Sequence, residues 1–324
     1  MQRYKKKMYF CILICINCVI MKKYLLLVVV VFTAFIVHAQ QTFTFATRDT
    51  VQLKLDVYQP VTPRPDHACV VYVFGGGFIS GARNNEHMVN CCTALSDRGF
   101  IVVAIDYRLY LKHAKKVPLL KMHTLFDTAI RYAVEDCSEA IAWLCNHADE
   151  LGIDTSRIIL SGSSAGAITV LQTDYCRCNS LPPAAALPAS FRPAAVVPYA
   201  GGLYCSACQL KYAVPPAPTC FFHGTADRIV NYNSFRGSLG KALFGANRVA
   251  RVFKRNDYSH WILRYEDHGH EIAAALPQTI DGFCAFVNAA LAGRVMNYDA
   301  TCTDSGIKLT KWSKLHLLQL YRAH

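Results

Sequence analysis

The feature that most constrains the fold is a series of short apolar runs that no polar residue interrupts. The runs are Cys69–Phe74, Ile101–Ile105, Ile158–Leu160, Ala195–Tyr199 and Thr219–Phe222. A strand that is apolar at every position is buried on both faces, as in a parallel sheet. Apolar residues at helical spacing occur between these runs, most clearly in residues 126–151, and again in residues 280–291. We therefore predict one α/β domain with a mostly parallel central sheet and helices on both faces.

Residues 51–57 alternate between apolar and polar side chains, which predicts a half-exposed strand at the edge of this sheet. With 53% hydrophobic and 17% charged residues, the 324-residue chain is not a disordered protein. No apolar run after residue 40 is long enough to cross a bilayer, so we also exclude a polytopic membrane protein.

The first 39 residues have the pattern of a secretory signal peptide. Two lysines after Met21 precede an apolar run, residues 24–37, and the small residue Ala39 stands at a suitable cleavage point. The run is short for a transmembrane helix. We predict that residues 1–39 are removed, with Met21 as an alternative true start, and that the protein is periplasmic or extracellular. An uncleaved N-terminal membrane anchor is the alternative.

The charge of the remaining chain gives no sign of a nucleic-acid partner. The formal net charge is +12, but six of the 34 basic residues lie before residue 40, and all 22 acidic residues lie after it. The 28 basic residues that remain form no stripe of the kind that binds nucleic acid. We expect no nucleic-acid partner and no stable membrane insertion after cleavage. The sequence does not predict an oligomeric state.

Twelve of the fifteen cysteines lie beyond the predicted signal peptide. An oxidising compartment permits disulfides. The pairs Cys176 and Cys178, and Cys205 and Cys208, lie in loop-like stretches. They leave open a loop disulfide or, by their paired spacing, a zinc site with four thiolate ligands.

Three motifs follow predicted strands and carry the candidate chemistry. Residues 162–166, Gly-Ser-Ser-Ala-Gly, lie between the strand 158–160 and a helical pattern, which is the setting of a nucleophile elbow. Residues 75–77 are three glycines after the strand 69–74, where backbone N–H groups can point at a developing oxyanion. Asp227 follows the strand 219–222, and His268 and His270 follow the strand-like residues 261–265. The chain order Ser, Asp, His is the order in α/β-hydrolases.

With these motifs, residues 51–291 resemble an α/β-hydrolase fold esterase of the carboxylesterase and hormone-sensitive-lipase-like branch. Asp106-Tyr107-Arg108-Leu109 adds to the resemblance. Within the branch, the chain is similar to exported bacterial esterases of the feruloyl and acetyl-xylan esterase type. The resemblance implies an α/β-hydrolase catalytic domain at residues 40–292, followed by a basic C-terminal extension at residues 293–324.

The resemblance also implies a role for each motif residue. Ser164 is the expected nucleophile, Asp227 the acid and His270 the base. The N–H groups of Gly76, Gly77 and Ala165 form the expected oxyanion hole. This mechanism uses no cofactor and no metal ion.

Alternatives to these assignments stay open. His268 and His260 compete with His270 as the base, and Asp257 and Asp267 compete with Asp227 as the acid.

Two residues near the glycine loop raise separate questions. Phe74 stands where related esterases usually have a histidine that orders this loop, which leaves the rigidity of the loop open. We expect Asp106 to buttress the loop through Arg108.

Three function classes fit the motifs. The first is an exported serine esterase that acts through an acyl-enzyme on short-chain or aryl acyl groups of carbohydrates or small alcohols. The second is a serine peptidase of the prolyl-oligopeptidase kind, and the third is a non-catalytic binding protein with a hydrolase fold. Peptidases of that kind usually carry a large extra domain, and non-catalytic relatives typically lose a triad member, so the sequence favours the esterase.

The cover over the site is expected to be small. Residues 200–218 join two predicted strands and contain Pro215, Pro216 and Pro218, which disfavour a continuous cap helix. The C-terminal extension has Leu309, Trp312, Leu315 and Leu318 at helical spacing, which predicts a short docked helix or a loose tail.

Overall fold

The computed structural model describes residues 40–48, 50–113, 119–206, 210–236, 240–294, 297–303, 305–316 and 319. The predicted signal peptide, residues 1–39, lies outside the described residues. In the described part of the chain, no helix is both long and apolar enough to cross a membrane.

Strands and helices alternate along the described chain. The strands are β1 (Gln40–Arg48), β2 (Val51–Tyr58), β3 (Cys69–Val73), β4 (Ile101–Ile105), β5 (Ile158–Ser163), β6 (Ala195–Tyr199), β7 (Gly202–Ser206), β8 (Thr219–Gly224), β9 (Ser234–Arg236), β10 (Lys241–Gly245), β11 (His260–Tyr265) and β12 (Tyr298–Cys302). The α-helices are α1 (Glu86–Ser96), α2 (Leu119–Asn146), α3 (Ala148–Leu151), α4 (Ala165–Cys178), α5 (Ala246–Arg255) and α6 (Ile280–Leu291).

A central sheet has the strand order β1-β2-β4-β3-β5-β6-β8-β11-β12. The pairs β1/β2 and β2/β4 are antiparallel, and the following pairs are parallel. All five predicted apolar runs are strands of the parallel part, and every residue of β3, β4, β5, β6 and β8 is buried. Because both faces are covered, these strands need apolar residues at each position. The predicted mixed sheet is therefore confirmed.

The strand predicted at the sheet edge lies inside the sheet. β1 pairs with β2 along its whole length, so β2 is the second strand, and its residues 55–58 are buried. β1 is the edge strand, and most of its side chains are exposed or half-buried. Its sequence directly follows the predicted signal peptide and is not apolar enough to stand out as a strand.

Strands β7, β10 and β9 form a second, antiparallel sheet of three strands that the sequence analysis did not predict. β7 lies in residues 200–218, which were expected to be an open connection. No described residue of this stretch is helical, in agreement with a small or absent cap. The strands of this sheet mix apolar residues with Gly, Ser, Lys and Arg, so they form no uninterrupted apolar run like those of the parallel strands.

The chain beyond the predicted domain end at residue 292 contributes to the central sheet. β12 pairs in parallel with β11 along five residues. In residues 305–316 the predicted helix is reduced to one 3-10 turn, Lys311–Ser313. The Thr310 hydroxyl accepts from the Trp312 N–H at 3.2 Å, and the Ser313 hydroxyl accepts from the Thr310 N–H at 2.9 Å. These two bonds close the turn locally, and Leu318 lies outside the described residues.

The predicted loop at Cys176 and Cys178 is wrong, because both residues are in the last turn of α4. Both are buried, and neither forms a disulfide. Cys205 is an unpaired residue of β7, and Cys208 lies outside the described residues. Among the described residues, no group of His, Cys, Asp and Glu side chains is arranged to hold a metal ion.

Candidate active site

Ser164 lies at the turn between β5 and α4, where the chain leaves the carboxyl end of a parallel strand. Its backbone has φ of 52° and ψ of −114°, a conformation that L-residues rarely adopt. The Ser164 N–H donates to the Tyr199 carbonyl at 2.9 Å, and the Ser164 carbonyl accepts from the Ile168 N–H at 2.9 Å. The strained turn lifts the hydroxyl above the sheet at the N-terminus of α4.

Two glycines allow α4 to cross β3 and β5 at this turn. A Cβ atom on Gly166 would lie 2.0 Å from the Val73 carbonyl oxygen. A Cβ atom on Gly162 would lie 2.7 Å from the Gly166 carbonyl carbon. No side chain fits at either position without a shift of the backbone. The Gly-x-Ser-x-Gly spacing is thus a packing requirement of the elbow.

His270 and Asp227 reach Ser164 from two other loops at the same edge of the sheet. Ser164 Oγ lies 2.8 Å from His270 Nε2, and His270 Nδ1 lies 2.8 Å from Asp227 Oδ2. Asp227 follows β8, and His270 follows β11, so both come after the carboxyl ends of parallel strands. The neutral imidazole can accept the serine proton at Nε2 while it donates from Nδ1 to the carboxylate.

The Asp227 carboxylate is buried and fully engaged by donors. Oδ1 accepts from the N–H groups of Ile229 at 2.9 Å and Val230 at 3.1 Å. Oδ2 faces His270 Nδ1 and also lies 3.3 Å from His223 Nε2. Burial alone would raise the pKa of Asp227, but the charge on His270 and the hydrogen bonds from His223 and His270 hold it well below its ordinary value. Asp227 is therefore a carboxylate whenever His270 acts.

The glycine loop passes close to the Ser164 elbow. A Cβ atom on Gly75 would lie 2.9 Å from the Ser163 carbonyl oxygen and 3.1 Å from Ser164 Cβ. Gly76 has a φ of 128°, and Gly77 a φ of 63°. Both glycines line the same cavity as Ser164. Ala165 follows Ser164 as the first residue of α4. The loop and the helix start thus flank the hydroxyl, as the predicted oxyanion hole requires.

Phe74 is held in place without the usual histidine. Its ring stacks on Tyr107 with 4.4 Å between the ring centroids, and the Tyr107 hydroxyl donates to the Phe74 carbonyl at 3.1 Å. The Gly76 carbonyl accepts from the N–H groups of Ile79 at 3.0 Å and Ser80 at 3.1 Å. An aromatic stack and a local turn therefore order this loop.

The predicted link between Asp106 and Arg108 is wrong. Asp106 Oδ2 accepts from Arg83 Nη1 at 2.7 Å, and Arg83 also pairs with the buried Asp56. Arg108 points instead to Asp136, at 2.8 Å. Arg83 lies between the glycine loop and α1. The residue that pairs with Asp106 therefore follows the glycine loop in the chain.

The competing histidines and acids have other partners. His268 Nδ1 lies 2.8 Å from Glu271 Oε1, and His260 Nδ1 lies 2.9 Å from the Tyr258 carbonyl. Asp257 and Asp267 are exposed on turns. Among these candidates, only His270 contacts the Ser164 hydroxyl, and only Asp227 contacts His270.

A cavity of about 280 Å³ opens at the Ser164 hydroxyl. Phe74, Ile79 and Met88 supply apolar wall on the side of the glycine loop. On the other side the wall includes Ile229 and residues of the 3-10 helix His270–Ala274. The cavity can hold a small apolar group next to the nucleophile.

Four residues near the site were missed by the sequence analysis as contributors. They are His223 beside the acid, Glu271 and Ser305 beside His268, and Trp312 in the cavity wall. Glu271 Oε1 accepts from His268 and from the Gly269 N–H, and thereby braces the loop that carries His270. Ser305 and Trp312 meet segments that are far away in the sequence. His223 and Glu271 meet partners four and three residues away, but in irregular loops where no spacing rule applies.

Comparison with known families matches the model described as BD-FAE to residues 55–175. This stretch is less than half of the chain. It contains the glycine loop and the elbow but ends before Asp227 and His270. The family match therefore does not include the acid and the base, whose contacts with Ser164 come from the tertiary structure.

Curated relatives match over similar lengths. Lipase 2 of Moraxella sp. (strain TA144) is 32% identical over 131 residues, which are 39% of this chain and 27% of that protein. Ethyl acetate hydrolase of Pseudomonas putida is 30% identical over 125 residues, 38% of this chain and 34% of that protein. Arylesterase of Saccharolobus solfataricus is 32% identical over 138 residues, 42% of this chain and 40% of that protein. The chain thus spans less than half the length of each of these relatives.

Solved structures match over most of the chain. The native esterase Est2 of Thermogutta terrifontis has a TM-score of 0.56 and 21% identity, covering 79% of this chain and 93% of that chain. Its butyrate-bound form has a TM-score of 0.57 and 23% identity, with 79% and 95% covered. At these identities the similarity concerns the fold, and the predicted α/β-hydrolase fold is confirmed.

Proposed function

We propose that this chain, which has the α/β-hydrolase fold, belongs to the carboxylesterase branch of that superfamily and is a serine esterase. The observation that carries the proposal is the unbroken hydrogen-bond chain from Ser164 through His270 to the buried Asp227. A serine hydroxyl is a weak nucleophile without a base in reach and an acid that orients the base. Those two conditions are met at Ser164.

The reaction follows from this arrangement in two halves. Ser164 Oγ attacks the ester carbonyl carbon while its proton passes to His270 Nε2. The oxyanion receives hydrogen bonds from the N–H groups of Gly76, Gly77 and Ala165. The carbon–oxygen bond to the alcohol then breaks, and the alcohol oxygen takes the proton from His270. Water repeats the same steps on the acyl-enzyme and releases the carboxylic acid.

The size of the cavity supports short or aryl acyl groups as substrates. The cavity of about 280 Å³ next to Ser164 lies at the lower end of the range for small-molecule pockets, about 300–1,000 Å³. The described residues include no helical cap that would extend the cavity. We propose acetyl to butyryl or aryl acyl groups, carried by a carbohydrate or another alcohol that enters from the open side.

The test compares an ester with an amide. Purified protein should hydrolyse 4-nitrophenyl acetate, and Ser164→Ala should lower kcat by roughly 10⁴-fold or more, as loss of a catalytic serine does elsewhere. An aminoacyl-4-nitroanilide should react far more slowly than the ester. Faster turnover of the anilide would favour the peptidase, and undiminished activity of Ser164→Ala would reject the mechanism.

We also propose export, on the strength of the sequence pattern at residues 1–39. Expression of the full chain in a bacterial host, followed by fractionation, should place the protein outside the cytoplasm. N-terminal sequencing of the mature form should begin at Gln40. An intact N-terminus on a membrane fraction would instead identify an anchor.

A further inference from the structure

The C-terminal segment, defined as residues 305–316, is attached to the loops that carry the base and the acid. Ser305 Oγ lies 2.7 Å from His268 Nε2, two residues before His270. His316 forms a parallel backbone bridge with Arg228, the residue after Asp227, and its Nε2 lies 3.2 Å from Arg228 Nη1. The segment therefore spans from one catalytic loop to the other.

The middle of the segment packs directly against the loop of the base. A Cβ atom on Gly269 would lie 2.4 Å from the Ser313 carbonyl oxygen, so the two backbones are as close as a glycine allows. This contact places the turn Lys311–Ser313 beside the 3-10 helix His270–Ala274. The capping hydrogen bonds of Thr310 then fix the turn that carries Trp312.

Trp312 is thereby held in the wall of the Ser164 cavity. Its side chain is large and apolar, yet 39% of the residue is exposed. Lys311 Nζ lies 5.2 Å from the centre of the indole ring, a contact within the same turn. An indole that lines a cavity and remains partly exposed can still gain contact area when a ligand binds.

The reaction geometry decides which part of a substrate Trp312 would meet. His270 Nε2 delivers a proton to the alcohol oxygen, so the alcohol must leave on the side of His270. The oxyanion lies toward Gly76, Gly77 and Ala165. Trp312 comes from the side of His270, because its turn packs on Gly269 and on the helix that begins at His270. The acyl group is left to the apolar wall near the glycine loop.

We propose that Trp312 is a specificity-determining residue that contacts the alcohol part of the ester and favours alcohols that contain a ring. This inference rests on the proposed esterase function. The ring of the alcohol lies against the indole, and the C-terminal segment is the element that positions it.

Two isomeric esters test the inference. Benzyl acetate carries its ring on the alcohol, and methyl phenylacetate carries the same ring on the acyl group. Trp312→Ala should lower kcat/KM for benzyl acetate by about fivefold to tenfold, the range expected for loss of an aromatic contact. Most of this loss should appear in KM. Methyl phenylacetate and ethyl acetate should change by less than about twofold, and Trp312→Phe should retain most of the benzyl preference.

Phe235→Ala is the matched control. Phe235 is an aromatic residue of β9 that is 43% exposed and does not line the Ser164 cavity. The Phe235→Ala substitution should leave kcat/KM unchanged for benzyl acetate, methyl phenylacetate and ethyl acetate. An equal loss for both isomers, a larger loss for methyl phenylacetate, or no loss for benzyl acetate would overturn the inference.

A binding measurement separates this inference from the esterase proposal. In a Ser164→Ala background, 4-nitrobenzyl acetate should quench tryptophan fluorescence, and the added Trp312→Phe substitution should remove most of the quenching. The other two tryptophans, Trp143 and Trp261, do not line this cavity. Quenching through Trp312 without turnover of any ester by the wild type would reject the esterase and keep the binding site. Turnover of esters without Trp312-dependent quenching would keep the esterase and reject the contact between Trp312 and the alcohol.

Discussion

Two histidines that are two residues apart in the chain have different surroundings. His270 joins Ser164 to Asp227. His268 joins Ser305 to Glu271, at 2.7 Å and 2.8 Å, outside that chain of hydrogen bonds. Both are buried beside a carboxylate, so burial and a partner do not distinguish them. Contact with the Ser164 hydroxyl does.

Substitution of each histidine should separate the two roles. His270→Ala should lower kcat for an acetate ester nearly as much as Ser164→Ala, because serine and base act as a unit. His268→Ala removes a support of the loop and should lower kcat by no more than about a hundredfold. Steady-state kinetics of both variants would measure this, with thermal melting as the check on folding. The reverse ranking would make His268 the base.

The lowered pKa of Asp227 predicts a dependence of stability on pH. Below pH about 5 the unfolded chain, with an Asp pKa of about 3.9, binds more protons at this residue than the folded chain does. The stabilisation is complete above that range and is lost as the pH falls toward the lower pKa of the folded state. Asp227→Asn should therefore flatten the fall in the free energy of unfolding between pH about 5 and 2. Urea titrations of both proteins at several pH values measure it, and parallel curves would contradict the assignment.

At the scale of elements, the elbow depends on how closely α4 crosses β3. Three chain segments meet there: the end of β5, the start of α4 and the end of β3 at Val73. The crossing leaves no space for a side chain at residue 166. The nucleophile is thus positioned by helix-to-strand packing, and the hydrogen bond from Ser164 N–H to Tyr199 ties in β6 as well.

Gly166→Ala tests this packing, with Gly282→Ala as the control. The new methyl group at residue 166 would meet the Val73 carbonyl at 2.0 Å and should destabilise the protein by about 1–3 kcal/mol or more. Gly282 is in α6, and a Cβ atom there finds no neighbour closer than 3.7 Å. Its replacement by alanine should be neutral or stabilise by up to about 1 kcal/mol. Urea denaturation compares the two, and equal effects would show that the close crossing is unimportant.

At the scale of the whole molecule, the sheet places the glycine loop, Ser164, Asp227 and His270 at one edge. The glycine loop follows β3, Ser164 follows β5, Asp227 follows β8 and His270 follows β11. The carboxyl ends of parallel strands meet at the same edge, which is where ligands bind in open α/β sheets. The C-terminal segment adds a wall to that edge. The strand β12, which precedes the segment in the chain, extends the sheet beside β11.

A small cavity predicts a limit on acyl length. Each buried methylene is worth about 0.8 kcal/mol of binding, but only methylenes that fit into the cavity of about 280 Å³ can gain it. Across 4-nitrophenyl esters from acetate to palmitate, kcat/KM should peak at short chains and then stay level or fall. A value that continues to rise beyond about eight carbons would indicate a deep acyl tunnel and a lipase.

The sequence determined the parts of this protein that depend on neighbours along the chain. The five apolar runs are buried strands because a parallel sheet covered on both faces excludes polar residues there. The elbow at residues 162–166 could be recognised because its glycines are required by local packing. The edge strand β1 and the small second sheet were harder to predict, because their strands mix polar and apolar residues and form no uninterrupted apolar run.

The tertiary structure decided the parts that depend on distant segments. His270 differs from His268 and His260 in its contact with Ser164, which lies 106 residues earlier in the chain. Only the fold brings His270 Nε2 to Ser164 Oγ. Arg83, and not Arg108, supports Asp106 because the loop after residues 75–77 returns to β2 and β4. Trp312 lines the cavity because Gly269 lets the backbone of Ser313 come close. Spacing along the sequence does not predict such contacts, because they form between loops that follow different strands and lie at the same edge of the sheet.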